Sequence, residues 1–154
     1  MDRTASVSRR NLLLLTTAAV GVTAYGVWSF VSPQVAEGTL QITAETAHQQ
    51  AIAGDIVLLD IRRPDEWQNT GIGEGALPLD MRRADFIEAL DQITSGDRSK
   101  PIAVICARGV RSARLTRTLT DAGYTNLIDV PEGMLGSASG AGWLAKGLPV
   151  VQPS

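Results

Sequence analysis

The stretch "IAVICARGVRSARLTRTLTDAGY", residues 102–124, decides the fold of this chain. Its first five residues are apolar and short in extent, which predicts a buried β-strand over 102–106. The residues from 112 to 124 predict a helix that Gly123 ends. Between strand and helix lies a loop that holds Cys106, the only cysteine of the chain. A lone cysteine is more often a small buried apolar residue than a nucleophile, so its surroundings must decide.

The same alternation of strand and helix continues on both sides of this unit. Apolar runs at 56–61 and 126–130 predict two further buried strands, and amphipathic patterns at 42–54 and 81–93 predict two further helices. Residues 62–78 predict a loop with one helical turn at 65–68, and residues 131–143 predict a Gly-rich loop. We therefore expect an α/β fold with a small parallel sheet flanked by helices. Ligands of such sheets bind beyond the carboxyl ends of the strands, where Cys106 lies.

The loop after the second strand has the features of an anion site. Gly109 allows a left-handed backbone, which turns successive N–H groups toward one centre. The N-terminus of the following helix adds partial positive charge, and Arg108 and Arg111 add two full charges. These charges favour a thiolate at Cys106, which is the nucleophilic form of cysteine.

Four segments of the chain together resemble the rhodanese family of sulfurtransferases. They are "LLDIRRPDEW" (58–67), "GEGALPLDM" (73–81), "CARGVRSA" (106–113) and the Gly-Tyr…Trp…Gly-x-Pro-Val pattern of 119–150. Each is weak alone, but their shared order is specific, and the resemblance covers about residues 39 to 151. One departure is "TGIGEGA" (70–76), which has no histidine where many family members have one.

The resemblance implies a thiosulfate:cyanide-type sulfurtransferase that works without a metal or an organic cofactor. Cys106 would take sulfur from a donor such as thiosulfate as a persulfide and pass it to cyanide or a thiol. Arg108 and Arg111 would orient the anionic donor. The N–H groups of residues 107–111, which include Ala107, Gly109 and Val110, would hold the persulfide.

Two other functions stay open at this point. The domain could carry sulfur or dock onto a partner in the cell envelope without turning over. It could also be a phosphatase or arsenate reductase, but related phosphatases place five residues between Cys and Arg, and this chain has four. The shorter loop favours sulfur.

Asp60 and Ser112 are expected to support the site. Asp60 ends a predicted strand near the expected active side of the sheet, so it could orient Arg108 or Arg111. An ordinary salt bridge at the strand end is an equally good interpretation. Ser112 stands at the expected start of the helix.

The N-terminal segment predicts a membrane address. "SRRNLLLL" (8–15) resembles a twin-arginine export signal, and residues 12–31 are uncharged over the length that spans a bilayer. The run is longer than a cleaved signal needs, so we expect an uncleaved anchor helix. Arginines precede the run, which places the N-terminus in the cytoplasm and the domain in the periplasm. A cleaved signal would instead release a periplasmic protein.

Two regions follow from these patterns: a signal, anchor and linker over 1–36 and a rhodanese-like domain over 37–154. The first 31 residues hold one Asp and three Arg, a net charge of +2. The whole chain has −2, so residues 32–154 carry −4. An acidic domain argues against nucleic acid as a partner. The expected partners are the sulfur donor, the acceptor, the membrane and the twin-arginine export machinery.

Overall fold

A computed structural model describes residues 34–153 of the chain. The predicted twin-arginine signal and all but the last three residues of the predicted region 1–36 lie outside the described residues. The strands are β1 (Leu40–Gln41), β2 (Val57–Asp60), β3 (Ile72–Gly73), β4 (Ala76–Pro78), β5 (Ile102–Ile105), β6 (Leu127–Asp129) and β7 (Val150–Val151). The helices are α1 (Ala44–Ala53), α2 (Pro64–Thr70), α3 (Phe86–Thr94) and α4 (Val110–Asp121).

A five-stranded parallel sheet in the order β1-β6-β5-β2-β4 forms the centre of the domain. β5 lies in the middle, with Leu59 of β2 beside Val104 and Leu127 of β6 beside Ile102. Successive side chains of a strand point to opposite faces, so two apolar layers form. The first layer lies against α3 and α4 and includes Leu59, Val104 and Cys106. The fold class predicted from the sequence is thereby confirmed.

The second apolar layer covers the opposite face of the sheet. Leu58, Ala103 and Ile128 pack there against Ala47 of α1 and against Trp143. The sheet is therefore buried on both faces, as parallel sheets are. This burial holds β5 rigidly, and β5 ends one residue before the cysteine.

The segment 62–78 contains more regular structure than its composition predicts. Pro64 stands at the start of α2, and the Glu66 side chain accepts a hydrogen bond from Arg63 N at 3.0 Å, so the helix has both a favoured first residue and a cap. β4 pairs with β2 at the edge of the sheet, where Pro78 is tolerated because no neighbour needs its N–H. The prediction of a loop with one helical turn was wrong here.

Two helix boundaries also differ from the sequence-based prediction. α3 begins at Phe86 and not at residue 81, because the Asp80 side chain accepts from Arg82 N at 3.0 Å and holds a turn there. α4 begins at Val110 and ends at Asp121, with Gly109 as its N-cap.

Within residues 34–153, no helix is long and apolar enough to cross a membrane.

The end of the described chain returns to the sheet domain. Residues 131–149 pass behind the loop that follows β5, and β7 then pairs antiparallel with β3. Trp143 is fully buried on this path, and its indole N–H donates to Pro149 O at 2.9 Å. The two short pairings at β3 and β7 thus fasten the C-terminal segment beside α2.

Candidate active site

Cys106 lies at the carboxyl end of the central strand, directly before a tight turn into α4. Gly109 caps α4 with φ of 79°. This left-handed conformation is one that residues with a Cβ adopt at a cost. The cysteine side chain is 1% exposed, and its Sγ lies 3.6 Å from the Ser112 hydroxyl. The thiol therefore sits at the base of the loop, under the first turn of the helix.

A backing segment, residues 131–135, fixes the orientation of this loop. Met134 N donates to Cys106 O, and Leu135 N donates to Ala107 O, each at 2.9 Å. In a trans peptide the C=O and the N–H point in opposite directions. The N–H groups of Ala107 and Arg108 therefore point away from the backing segment, into the loop.

The amide groups around the thiol have no acceptor. Within residues 34–153, none of the backbone N–H groups from 107 to 112 donates to a protein atom. Unpaired N–H groups of a curled loop and of a helix N-terminus form a positive cradle for an anion. The prediction of an anion-binding loop at residues 107–111 agrees with this geometry.

Two glycines allow the loop and the backing segment to approach closely. A Cβ on Gly109 would lie 2.3 Å from Pro131 O. A Cβ on Gly133 would lie 2.6 Å from Ala107 O. Either contact is far below van der Waals distance, so the two segments could not keep this spacing with larger residues.

The two loop arginines have different surroundings. Arg111 makes two hydrogen bonds to the Glu66 carboxylate of α2, at 2.8 and 2.7 Å. The Arg111 guanidinium lowers the pKa of Glu66, whose carboxylate in turn raises the pKa of Arg111. Arg108 is exposed and has no acidic partner in the part of the chain described. Arg108 is thus the loop cation whose charge stays available to a ligand.

Glu66 was not among the residues that the sequence analysis assigned to the site. Its signal is the "PDEW" stretch (64–67), where proline and acidic residues open a short helix. The spacing to Arg111 is 45 residues, so no local pattern connects the two. Only the parallel arrangement of β2 and β5 brings α2 beside the loop.

Asp60 does not contact either loop arginine. Its carboxylate accepts from Arg62 Nε at 2.9 Å and from Arg62 Nη2 at 2.7 Å, and both side chains are buried. Arg62 also donates to Gly71 O at 2.7 Å. The suggestion that Asp60 orients Arg108 or Arg111 is therefore replaced by the alternative, a salt bridge at the strand end, which ties β2 to the end of α2.

The backing segment is itself held by charge. Glu132 is buried and accepts from Ala44 N at the start of α1, at 2.8 Å. Lys146 Nζ lies 2.8 Å from both oxygens of the Glu132 carboxylate. A carboxylate at a helix N-terminus is stabilised by the helix dipole. α1, the backing segment and the C-terminal segment are thereby joined behind the loop.

The "TGIGEGA" stretch that departs from the family pattern packs against the same region. A Cβ on Gly73 would lie 2.6 Å from the Trp143 ring, so glycine is needed for this contact. His48 Nε2 lies 3.0 Å from Glu74 Oε2 in this stretch. In the described residues, no group of three or more His, Cys, Asp or Glu could hold a metal ion.

Comparison with known proteins agrees with this architecture. The sequence model of the family described as "Rhodanese-like domain" matches residues 43–138, more than half of the chain. The chain belongs to the rhodanese-like domain family. The matched range runs from the start of α1 through the Cys106 loop and the backing segment, so it contains the cysteine, both loop arginines, Glu66 and Ser112.

Named relatives of this rhodanese-like domain are sulfurtransferases. The chain is 33% identical over 97 residues to a tRNA sulfurtransferase of Yersinia pestis (strain Pestoides F). It is 30% identical over 93 residues to a tRNA sulfurtransferase of Vibrio vulnificus (strain YJ016). These alignments cover 61% and 60% of this chain but only 19% of each relative. The chain thus corresponds to about a fifth of those proteins.

A solved structure has both a similar fold and a related sequence. The polysulfide-sulfur transferase of Wolinella succinogenes is 27% identical to this chain, with a TM-score of 0.57. The match covers 75% of this chain and 80% of that one. The thiosulfate sulfurtransferase of Pseudomonas aeruginosa superimposes with a TM-score of 0.59 at 24% identity, over 75% of this chain and 21% of that one. The second similarity supports the fold alone.

Proposed function

We propose that this rhodanese-like domain transfers sulfane sulfur through a persulfide on Cys106. The donor is an anion such as thiosulfate, and the acceptor is cyanide or a thiol. The observation that carries the proposal is the row of N–H groups from 107 to 112, beside the cysteine, that have no acceptor within residues 34–153. They would hold the negative charge of the donor and then of the persulfide.

The first half of the reaction loads the cysteine. The Cys106 thiolate attacks the outer sulfur of thiosulfate, a new S–S bond forms, and the old S–S bond breaks. Sulfite leaves with the bonding electron pair, so no external oxidant or reductant is needed. Arg108 would attract the donor, because no carboxylate in the described part of the chain neutralises its charge.

The second half of the reaction discharges the persulfide. A nucleophile such as cyanide attacks the outer sulfur, and the electrons of the S–S bond return to Cys106. The chain contains one cysteine, so no second thiol of the same chain can accept the sulfur. The acceptor must come from outside the chain.

The test is sulfur loading followed by turnover. The full chain is incubated with thiosulfate, its intact mass is measured, and cyanide is then added and thiocyanate is assayed. We expect a mass gain of one sulfur atom and its loss on addition of cyanide. Cys106→Ser, which keeps the size and polarity of the side chain, is expected to show neither.

The outcomes of this test distinguish the candidate functions. Loading without turnover would indicate a sulfur carrier, with a partner protein as acceptor. Hydrolysis of an aryl phosphate that Cys106→Ser abolishes would indicate a phosphatase. A chain that neither loads sulfur nor forms thiocyanate would contradict the proposal.

We further propose that residues 1–36 export and anchor the domain, which would then face the periplasm of a bacterium. The support is the Arg9–Arg10 pair before an uncharged run of twenty residues. Replacing both arginines by lysine keeps the charge and should stop export through the twin-arginine machinery. N-terminal sequencing of the exported chain distinguishes an intact anchor from a cleaved signal. Unchanged export of the double variant would refute the proposal that this segment is a twin-arginine signal.

A further inference from the structure

Asp129 is a buried carboxyl with no role in the contacts or the reaction steps described above. It ends β6 and is 1% exposed. One carboxylate oxygen accepts from Gln41 Nε2 at 3.1 Å. The other oxygen, Oδ1, is buried without a hydrogen-bond partner among the described residues. Leaving such an atom unpaired costs free energy, which raises the question of what it serves.

The sheet places Asp129 behind the Cys106 loop. In the parallel pairing of β5 and β6, Asp129 lies beside Val104, and paired residues point to the same face of the sheet. Cys106 follows Val104 by two residues and therefore shares that face, under α4. The carboxyl and the thiol thus occupy neighbouring strands in one buried layer.

Ser112 of α4 contacts the thiol and is near enough to the carboxyl to influence it. Its hydroxyl is fully buried, 3.6 Å from Cys106 Sγ, and it donates to Gly109 O at 3.1 Å. Gly109 O also accepts from Ala113 N at 3.2 Å, so it keeps a donor if the hydroxyl turns away. Ser112 can therefore accept a proton from one neighbour while it donates one to another.

The surroundings of Asp129 favour its protonated form. Burial raises the pKa of Asp129, and the nearby polar groups of Ser112 and Gln41 oppose this rise. No cation in the described part of the chain contributes to the shift. The polar or titratable groups near Asp129 are Gln41 of β1, Cys106 after β5 and Ser112 of α4. The arginines of α4 lie elsewhere: Arg111 is bound to Glu66, and Arg114 and Arg117 are exposed.

We propose that Asp129 is a positioning residue for the sulfur transfer, which accepts through Ser112 the proton that Cys106 gives up and returns it when the sulfur leaves. The inference rests on the proposed function of Cys106. In the forward step the S–H bond of Cys106 breaks and its proton moves to Ser112 Oγ, while the Ser112 proton moves to Asp129 Oδ1. The step is a proton transfer without oxidation or reduction, so it needs no co-reactant. The reverse movement restores the thiol after discharge.

The test is a titration of the thiolate in the full chain. Cys106 is the only cysteine, so the ultraviolet absorbance of the thiolate reports this residue alone once the Cys106→Ser spectrum has been subtracted. We expect the wild-type signal to rise in two steps with pH, because the first proton lost is shared between thiol and carboxyl. Asp129→Asn, which has nearly the same shape and cannot take the proton, should show one step.

Sulfur loading gives an independent measurement. Asp129→Asn should load sulfur from thiosulfate about tenfold more slowly at neutral pH, less than the roughly hundredfold or more of a directly acting base, because Asp129 acts through Ser112. Asp121→Asn on the exposed end of α4 is the matched control and should leave both measurements unchanged. Because the titration needs no donor, it tests Asp129 even if the chain transfers no sulfur.

A second variant covers the case in which Asp129→Asn does not fold. Gln41 is exposed on an edge strand, and Gln41→Ala removes the side-chain amide that donates to the carboxyl. The carboxyl should then hold the proton more strongly, and a larger share of the thiolate signal should appear in the first step. A single step in the wild type that neither variant alters would overturn the proposal.

Discussion

Arg108 and Arg111 are three residues apart, yet only Arg108 presents an unneutralised charge. Arg111 is bound in two hydrogen bonds to Glu66, whereas Arg108 is exposed beside the unpaired amide groups. A sequence pattern treats the two as equals because it contains no information on where Glu66 lies. Under the proposed function, the difference predicts that Arg108 attracts the donor and that Arg111 supports the loop.

Arg108→Ala should raise KM for thiosulfate about tenfold, which corresponds to about 1.4 kcal/mol of lost attraction. kcat should change less, because the sulfur-holding amides remain. Steady-state kinetics measures both constants, and Arg108→Lys should recover part of the loss. Arg114→Ala, another exposed arginine on α4, is the control. Equal effects at 108 and 114 would show that only general surface charge matters.

The Glu66–Arg111 pair should make part of the stability of the domain depend on pH. The pKa of Glu66 is lowered in the folded state by Arg111, so the stabilisation is complete above the unfolded pKa of about 4.3 and is lost as pH falls through the folded value. Glu66→Gln should cost about 1 kcal/mol at neutral pH, and the difference from wild type should vanish in strong acid.

Urea unfolding at neutral and at strongly acidic pH measures this difference. Asp85→Asn, which breaks an exposed pair with Arg83, provides the comparison at the protein surface. A Glu66→Gln deficit that is the same at both pH values would mean that the side chain acts by packing and not by charge.

At the scale of elements, the loop after β5 and the backing segment form one unit. Hydrogen bonds from Met134 and Leu135 turn the loop carbonyls outward, and this turns the amides of Ala107 and Arg108 inward. The glycine–serine composition of 131–143 predicts a loop but does not predict that this loop orients the amides beside Cys106. The close approach at Gly109 and Gly133 is what makes the cradle rigid.

Gly109→Ala should destabilise the domain by more than the backbone strain of a left-handed alanine, which is about 1 kcal/mol. The added Cβ would also meet Pro131 O. Gly54→Ala is a matched control, since Gly54 has the same φ of 79° and nothing within 4 Å of the added atom. The difference between the two variants in denaturant unfolding isolates the steric contact. Equal losses would show that the two segments can move apart freely.

The buried strands and the loop chemistry were predictable from the sequence, and the long-range partners were not. The apolar runs at 56–61, 102–106 and 126–130 contain the strands β2, β5 and β6, which are buried except for the half-buried Val57, and their composition alone identifies them. β1 is a short exposed edge strand and β4 a short edge strand of mixed burial, so they give no such signal. Glu66 reaches Arg111 of the loop, and Asp129 reaches the layer of Cys106, through strand order, which no local pattern encodes.

For the whole molecule, the C-terminal segment completes the support of the active site. Pro149 O accepts from the Trp143 indole and from Glu74 N, and Trp143 N donates to Gly133 O in the backing segment. A chain ended after Gly147 should therefore unfold at lower denaturant concentration and load less sulfur on Cys106. A chain ended after Val151 keeps these bonds and should behave as wild type. Full sulfur loading by the chain ended after Gly147 would show that the residues after Gly147 do not support the site.

The bond from Met134 to Cys106 also has a consequence for the timing of synthesis. A ribosome makes the cysteine before it makes the backing segment, Trp143 and the tail, so an unfinished chain carries an ordinary thiol with no cradle around it. Under the proposed function, the thiol would become able to hold sulfur only when the backing segment and the residues after it have docked. Sulfur bound at Cys106 would then indicate a completely folded chain, because an incomplete or unfolded chain would not load sulfur.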